Sequence, residues 1–347
     1  MAERLTPELE RAIKEAVERK ATDIFFLPNE PVSFRVGGNL MRSDEAPLSS
    51  LAIRDIAAAA IGQERLSRIG IEIADIVTPI SIPGKADGRM SIAKSLGNFT
   101  LTIQLMPSLI PDVTAIKIPE SLLKAALGRS GLIVFSGAVG SGKTTTLYSV
   151  AEYINANRHC SICSVEDPIH YKIKPKLAIV SQREVGIDAP DTASGIISAL
   201  RQYPDVLIIT ELRSANDLWA CAEAVESGVV VLIQVSAPSI FDAIRSLIDL
   251  VEMQTASGAG VARRRLAGII SAVSVQKLFP KTSGDGRIAA YGVLIPGAET
   301  RKAIASEFDK YTAETFESEI RHSEGSQTIK GDIERLAKEN TIARDVK

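Results

Sequence analysis

Gly137-Ala-Val-Gly-Ser-Gly142-Lys143-Thr144 fits the pattern G-x-x-x-x-G-K-[ST] at every fixed position. The types explain the pattern. Glycines let backbone N–H groups converge on a polyphosphate with no Cβ in the way. A helix that begins near Lys143 points its positive end at the same anion. Lys143 adds a charge for the β- and γ-phosphates, and the Thr144 hydroxyl can ligate Mg²⁺. The loop stands between Leu132–Ser136, which reads as a short buried strand, and a stretch with Leu147, Val150, Ala151 and Ile154 at helical spacing. A glycine-rich surface turn accounts for neither the Lys-Thr pair nor that setting. The candidate nucleotide-binding set is therefore Gly137, Gly140, Ser141, Gly142, Lys143, Thr144 and Thr145, and the expected ligand is a nucleoside triphosphate such as ATP with Mg²⁺.

Two carboxylates extend the chemistry. Strands of a parallel sheet present functional groups at their carboxyl ends. Ser161–Val165 runs into Glu166-Asp167-Pro168, and Val206–Thr210 runs into Glu211. One acid would orient Mg²⁺ or its water shell, and the other would polarise the attacking water. Either could be a surface charge or an ion-pair partner, but both follow the strands after a phosphate loop.

These residues need an α/β scaffold. From Glu120 the pattern alternates strands and helices, the signature of a mostly parallel sheet. Helices are expected at 193–202, 214–227, 240–251 and 262–275, and strands at 206–210 and 229–235. Ser214 and Asp217 predict a capping box, and Gly228 stops that helix. A hairpin is expected around Ser283–Gly286, and C-terminal helices over 296–347 could pack locally or contact partners. Residues 1–106 read as a small α+β domain: a helix over 1–20 with Leu5, Leu9, Ile13 and Val17 in step, then strands at 21–27, 32–41 (tip at Gly37-Gly38), 75–82 and 89–106, broken by Pro83-Gly84 and Gly97-Asn98, with mixed helix over 50–69. Residues 107–119, with three prolines, read as a linker, and 120–295 as the ATPase core.

Composition narrows the function classes. The 347 residues are 45% hydrophobic, enough for two cores, and 40 basic against 42 acidic residues give a net charge of −2. No global attraction to nucleic acid or anionic lipid follows. The cluster Arg263-Arg264-Arg265 lacks interleaved aromatics, so direct nucleic-acid binding is not expected. The N-terminal stretch is charged and amphipathic, unlike a signal sequence. Apolar runs such as 229–233 are too short for a transmembrane span. Three cysteines suit a reducing, cytoplasmic setting. Cys160 and Cys163 face opposite sides of a strand and read as buried thiols.

The strings GLIVFSGAVGSGKTTTLYSVAEYIN, VEDPIHYKI, SQREVG and ALRQYPDVLIITELR, in that order, resemble the type II/type IV secretion and pilus-retraction ATPases. ATDIFFLPNEPVSFRVGGNLMR and DGRMSIA are similar to that family's N-terminal domain, and QKLFPKTSGDGRIAAYGVLI to its post-core hairpin. The resemblance implies a RecA-like P-loop ATPase domain with a smaller PAS-like N-terminal domain. It implies Glu166 as general base, Glu211 at the Walker B position working with Mg²⁺ beside Thr144, and Arg89 and Arg213 as candidates for phosphate sensing. It further implies a homohexameric motor, driven by domain rotation, at the cytoplasmic face of a bacterial inner membrane. A platform protein of a type IV pilus, secretion or conjugal-transfer machine would be its partner. No tetracysteine insert is present, which favours the retraction or transfer branch. Two departures stand out: Ser236 lies where the family carries a histidine, and Gln104 where it commonly carries an arginine. They imply slow turnover or, alternatively, an ATP-binding ring subunit that regulates an active paralogue.

Overall fold

The computed structural model describes residues 6–82, 86–106, 109–252, 259–284 and 286–343. The expected break at Pro83-Gly84, Pro107 and the first five residues lie outside them. The chain forms two compact units, 1–109 and 110–347.

The first unit is an antiparallel six-stranded sheet carrying helices. Its elements are α1 (Pro7–Glu18), β1 (Asp23–Phe26), β2 (Ser33–Val36), β3 (Asn39–Arg42), α2 (Ser50–Ile61), α3 (Gln63–Arg68), β4 (Asp75–Ile82), β5 (Ala86–Ser95) and β6 (Asn98–Leu105), with strand order β3-β2-β1-β6-β5-β4. Thr6 caps α1, accepting from the Leu9 N–H, and Pro7 opens the helix without leaving an N–H unpaired. Leu9, Ile13 and Ala16 of α1 and Ile53 and Ile56 of α2 bury against Ile24, Phe26, Ile92 and Ile103. Gly37 and Gly38 both take positive φ and close the β2–β3 hairpin at the expected tip.

The second unit begins earlier than the core expected at residue 120. Val113 and Ile118, inside the stretch read as a linker, are buried in it. It continues through α4 (Glu120–Ala126), β7 (Gly131–Gly137), α5 (Lys143–Asn157), β8 (Ser161–Glu166), β9 (Ile179–Glu184), α6 (Thr192–Leu200), β10 (Val206–Ile209), α7 (Ala215–Glu226), β11 (Val230–Ser236), α8 (Ile240–Glu252), α9 (Ala259–Ile269), β12 (Ile270–Pro280) and β13 (Arg287–Leu294). Three C-terminal helices follow: α10 (Ala298–Lys302), α11 (Ala313–His322) and α12 (Ile329–Lys338). The sheet order is β13-β12-β7-β11-β10-β8-β9, parallel except for β13. α4 and α5 cover one face, while α6 to α9 cover the other. Each fully buried Leu, Val or Ile on such a helix contributes roughly 1.5–3 kcal/mol.

The helix expected over 262–275 is corrected: it ends at Ile269, and β12 takes over from Ile270. Ile-Ile-Ser-Ala-Val-Ser-Val is rich in β-branched residues, and central pairing with β7 and β13 overrides the helical reading. Val273 and Val275 face one core and Ala272 the other. The capping box at Ser214 and Asp217 is present. The C-terminal helices pack locally. Phe308 stacks on Phe241 of α8, Phe316 packs tilted against the same ring, and Asp332 of α12 accepts from the Tyr291 N–H at 2.9 Å.

Candidate functional site

The phosphate loop joins β7 to α5. At Gly137, with φ 148°, a Cβ would lie 2.5 Å from Ser141 Oγ and 2.7 Å from the Gln276 carbonyl, so a side chain cannot be accommodated. Gly142 is left-handed, with φ 89°, and heads α5 with no side-chain cap. The first N–H groups of α5 are thereby left for a ligand. Lys143 curls back to donate to the carbonyls of Gly137 at 2.8 Å and Ala138 at 2.9 Å. Burial holds its ammonium below the usual lysine range.

A cavity of about 720 Å³ opens at the carboxyl ends of the strands, within the size range of ligand sites. Val139, Gly140, Lys143 and Thr144 line one side. Asp167, Pro168 and His170 after β8, Thr210 and Glu211 after β10, and Gln234 and Ser236 on β11 line another, and Leu247 and Leu250 of α8 add an apolar wall. Thr144 donates its hydroxyl to Gln234 Oε1 at 3.1 Å. Gln234 Nε2 is buried without a partner, so this wall carries a donor that wants an acceptor. Phosphate oxygens are such acceptors, and Thr144 and Glu211 are hard oxygen donors of the kind Mg²⁺ takes.

The register decides where the acids go. Ile209 of β10 lies level with Val165 of β8, so Thr210 is level with Glu166 and Glu211 with Asp167. Thr210 Oγ1 accepts from the Asp167 N–H at 3.1 Å. Asp167 and Glu211 both reach the cavity, and Arg213 spans them, 2.9 Å from Asp167 and 3.2 Å from Glu211. Those contacts, Glu211 first, raise the affinity of Arg213 for its proton.

Glu166 goes elsewhere. Side chains alternate along a strand, so Ser164 and Glu166 share the face covered by α5. The carboxyl group is fully buried and does not line the cavity. Its Oε1 accepts from Ser164 Oγ at 2.5 Å and Gln182 Nε2 at 2.9 Å, and its Oε2 from the Tyr148 hydroxyl. Burial pushes its pKa up to about 7, against the pull of the three hydrogen bonds. The structure thus gathers Gly140, Lys143, Thr144 and Glu211 around one cavity, with Arg213 bridging two of its acids. It places Glu166 behind the wall, and Arg89 in the first unit, on β5 opposite Gln104.

Asp167, His170, Gln234, Tyr148, Gln182 and Gln276 join the site's surroundings without having been singled out as its residues. The available signal was polarity out of place: Gln234 interrupts an apolar strand, and Gln276 does the same on β12, where its Nε2 donates to the Ser141 carbonyl at 2.7 Å. His170 lies on the cavity wall with Nδ1 2.8 Å from the Pro168 carbonyl. Cys160 and Cys163 are free, buried and on opposite cores. Of the three arginines, Arg263 pairs with Glu252 and Asp309, and Arg265 with Glu226 while stacking on Trp219. No helix among the described residues is long and apolar enough to cross a membrane.

A RecA-like sheet with this loop and these strand-end acids defines a P-loop ATPase of the secretion type, joined to a smaller N-terminal α+β unit. The family model for type II/IV secretion system proteins matches residues 2–346, and the chain belongs to that family. The type IV pilus ATPase PilU of Pseudomonas aeruginosa is 31% identical over 288 residues, 83% of this chain and 74% of PilU. The retraction ATPase PilT of the same organism is 24% identical over 330 residues, 95% and 94% of the two chains. A crystal structure of the pilus retraction motor PilT with bound ADP matches with a TM-score of 0.84 at 28% identity, covering 96% of this chain and 94% of that one.

Proposed function

We propose that this chain hydrolyses ATP as the subunit of a homohexameric motor. It would serve a type IV pilus, secretion or conjugal-transfer machine, against a platform protein on the cytoplasmic side of a bacterial inner membrane. One observation carries the reading: Lys143 and Thr144 of the phosphate loop share a single cavity with Glu211 and with Gln234, whose Nε2 has no partner among the described residues. The relationship to PilT, a retraction motor that holds ADP, supports it.

In this reading the N–H groups of the loop and of α5 bind the phosphates, and Lys143 exchanges its two carbonyls for phosphate oxygens. Gln234 keeps the Thr144 hydroxyl in place beside Glu211. Mg²⁺ held by Thr144 and Glu211 with the nucleotide would supply charge neutralisation of the β- and γ-phosphates. Glu166 takes the proton of the attacking water, and its raised pKa near neutrality suits a base working at pH 7. To do so it must trade a hydrogen bond inside its pocket for one to water. Arg89 is assigned to the site of a neighbouring subunit and Arg213 to sensing the phosphate between Asp167 and Glu211. Domain rotation would follow turnover.

The test is phosphate release by the purified chain, with its oligomer mass measured alongside. Six-subunit particles that release phosphate in an ATP- and Mg²⁺-dependent way are expected. A chain that binds ATP but releases no phosphate would instead be a regulatory subunit, and the motor reading would fall.

A further inference from the structure

Tyr148 sits one turn into α5, the helix that starts from the phosphate loop, and is completely buried. Its hydroxyl donates to Glu166 Oε2 and accepts from the His170 N–H at 3.2 Å. Oε1 of the same carboxylate is taken by Ser164 and Gln182, so Tyr148 alone holds Oε2 among the described residues. A second contact runs alongside: the ring of Tyr171 lies 4.9 Å from that of Tyr148, and its hydroxyl is 3.4 Å from Thr145 Oγ1. The first two turns of the phosphate helix therefore touch the acidic segment 166–171 at Glu166, His170 and Tyr171, once on the carboxylate itself.

We propose that Tyr148 is a positioning residue for hydrolysis, which holds Glu166 through the oxygen that must meet the attacking water and so couples the phosphate helix to the base. The proposal rests on the reading of Glu166 as base. The chemistry follows from the donor count. A phenol that donates to a carboxylate favours the charged form, and its loss raises the proton affinity. The other groups facing Glu166 are Ser164 on its own strand, Gln182 and Glu184 from β9, and the turn bearing Asp167, His170 and Tyr171. Of these Glu184 is the one that pushes the affinity up. Tyr148→Phe keeps the ring that packs the core and removes only the donor.

The experiment compares pH–rate profiles of ATP hydrolysis for the wild type, Tyr148→Phe, Glu166→Gln and the double variant, with ADP binding measured for each. A lost hydrogen bond to a charged group corresponds to a displacement of about one pH unit. The acid limb of Tyr148→Phe should move up by that amount, so that turnover at pH 7 falls about fivefold and recovers above pH 9. KM for ATP and ADP binding should stay unchanged. In the Glu166→Gln background the Tyr148→Phe change should cost nothing more. An unmoved acid limb with Glu166→Gln inactive overturns the role of Tyr148 and leaves the base intact. Loss of ADP binding in Tyr148→Phe, or additivity in the double variant, overturns it as well by making Tyr148 a packing residue. Wild-type turnover in Glu166→Gln overturns the base reading itself.

Discussion

Two strands of one sheet end in glutamates, and the ends are opposites. At the tip of β10, Glu211 is about half exposed, faces the cavity and is paired with Arg213. At the tip of β8, Glu166 is wholly buried, faces α5 and has only neutral donors around it. The cause is a period-two pattern: Ile209 pairs with Val165, so Glu166, one residue on, and Glu211, two residues on, fall on opposite faces. Two glutamates at neighbouring strand ends are thus given different access to water, and burial raises the proton affinity of Glu166. An exposed carboxylate at the cavity suits a cation, whereas a buried one that titrates near neutrality suits a proton.

The largest effect would come from removing what both tips are built around. Lys143→Ala should take ATP turnover below detection and abolish ADP binding, since Lys143 is the loop cation of the cavity. Retained turnover would show that neither tip serves a nucleotide. The next pair separates the tips. Glu166→Gln should lower turnover ~10²–10⁴-fold with the Mg²⁺ requirement unchanged. Glu211→Gln should raise the Mg²⁺ concentration needed for half-maximal turnover on the order of 10- to 100-fold. Metal titrations of both variants check this, and identical shifts would erase the distinction.

The sequence made the phosphate loop and the Ser214–Asp217 cap legible because their geometry is local: fixed glycines, a fixed Lys-Thr pair, and Ser and Asp three apart. The β12 strand was not legible as one, because Ile269–Val275 lies in a row of apolar residues where only the partners β7 and β13 decide the period. Glu166 was legible as a special residue but not in its direction. Facing α5 depends on the register against β10 and on Tyr148, eighteen positions earlier in the chain. Gln234 and His170 reach the cavity by the same non-local route. The burial of Val113 and Ile118 could not be read either, since three prolines within thirteen residues look like a linker whether or not a core lies beneath.

Stability against pH offers a readout that needs no nucleotide. The folded protein raises the Glu166 pKa from 4.5 to about 7. Between those values the folded state keeps a proton that the unfolded chain has released, so stability falls as pH rises through that window and the loss is complete above about pH 7. The shift corresponds to at most about 3 kcal/mol. Glu166→Gln should therefore be more stable than the wild type at pH 8, by up to that amount in urea unfolding, with no gain at pH 4.5. Glu211→Gln should change stability by under ~1 kcal/mol at either pH, because exposed ion pairs contribute little. A gain at pH 8 in Glu211→Gln, or none in Glu166→Gln, would reverse the contrast between the tips.

The smallest effect belongs to Arg213, which is more than half exposed and joins Asp167 to Glu211. Its guanidinium lies 3.2 Å from the carboxylate proposed for Mg²⁺, so it would compete with the cation. It also presents a positive charge at the cavity edge, where a γ-phosphate would draw it away from the acids. Arg213→Ala would remove both proposed roles, and each would leave its own mark. Loss of the competition lowers the Mg²⁺ concentration for half-maximal turnover, by about two- to fivefold for an exposed pair worth at most ~1 kcal/mol. Loss of phosphate sensing lowers the preference for ATP over ADP by a similar factor. Competition binding of the two nucleotides at fixed Mg²⁺ measures the second, and a metal titration the first. If neither moves, Arg213 is a surface clasp between the strand ends, and the charge of Glu211 is available to the metal without its help.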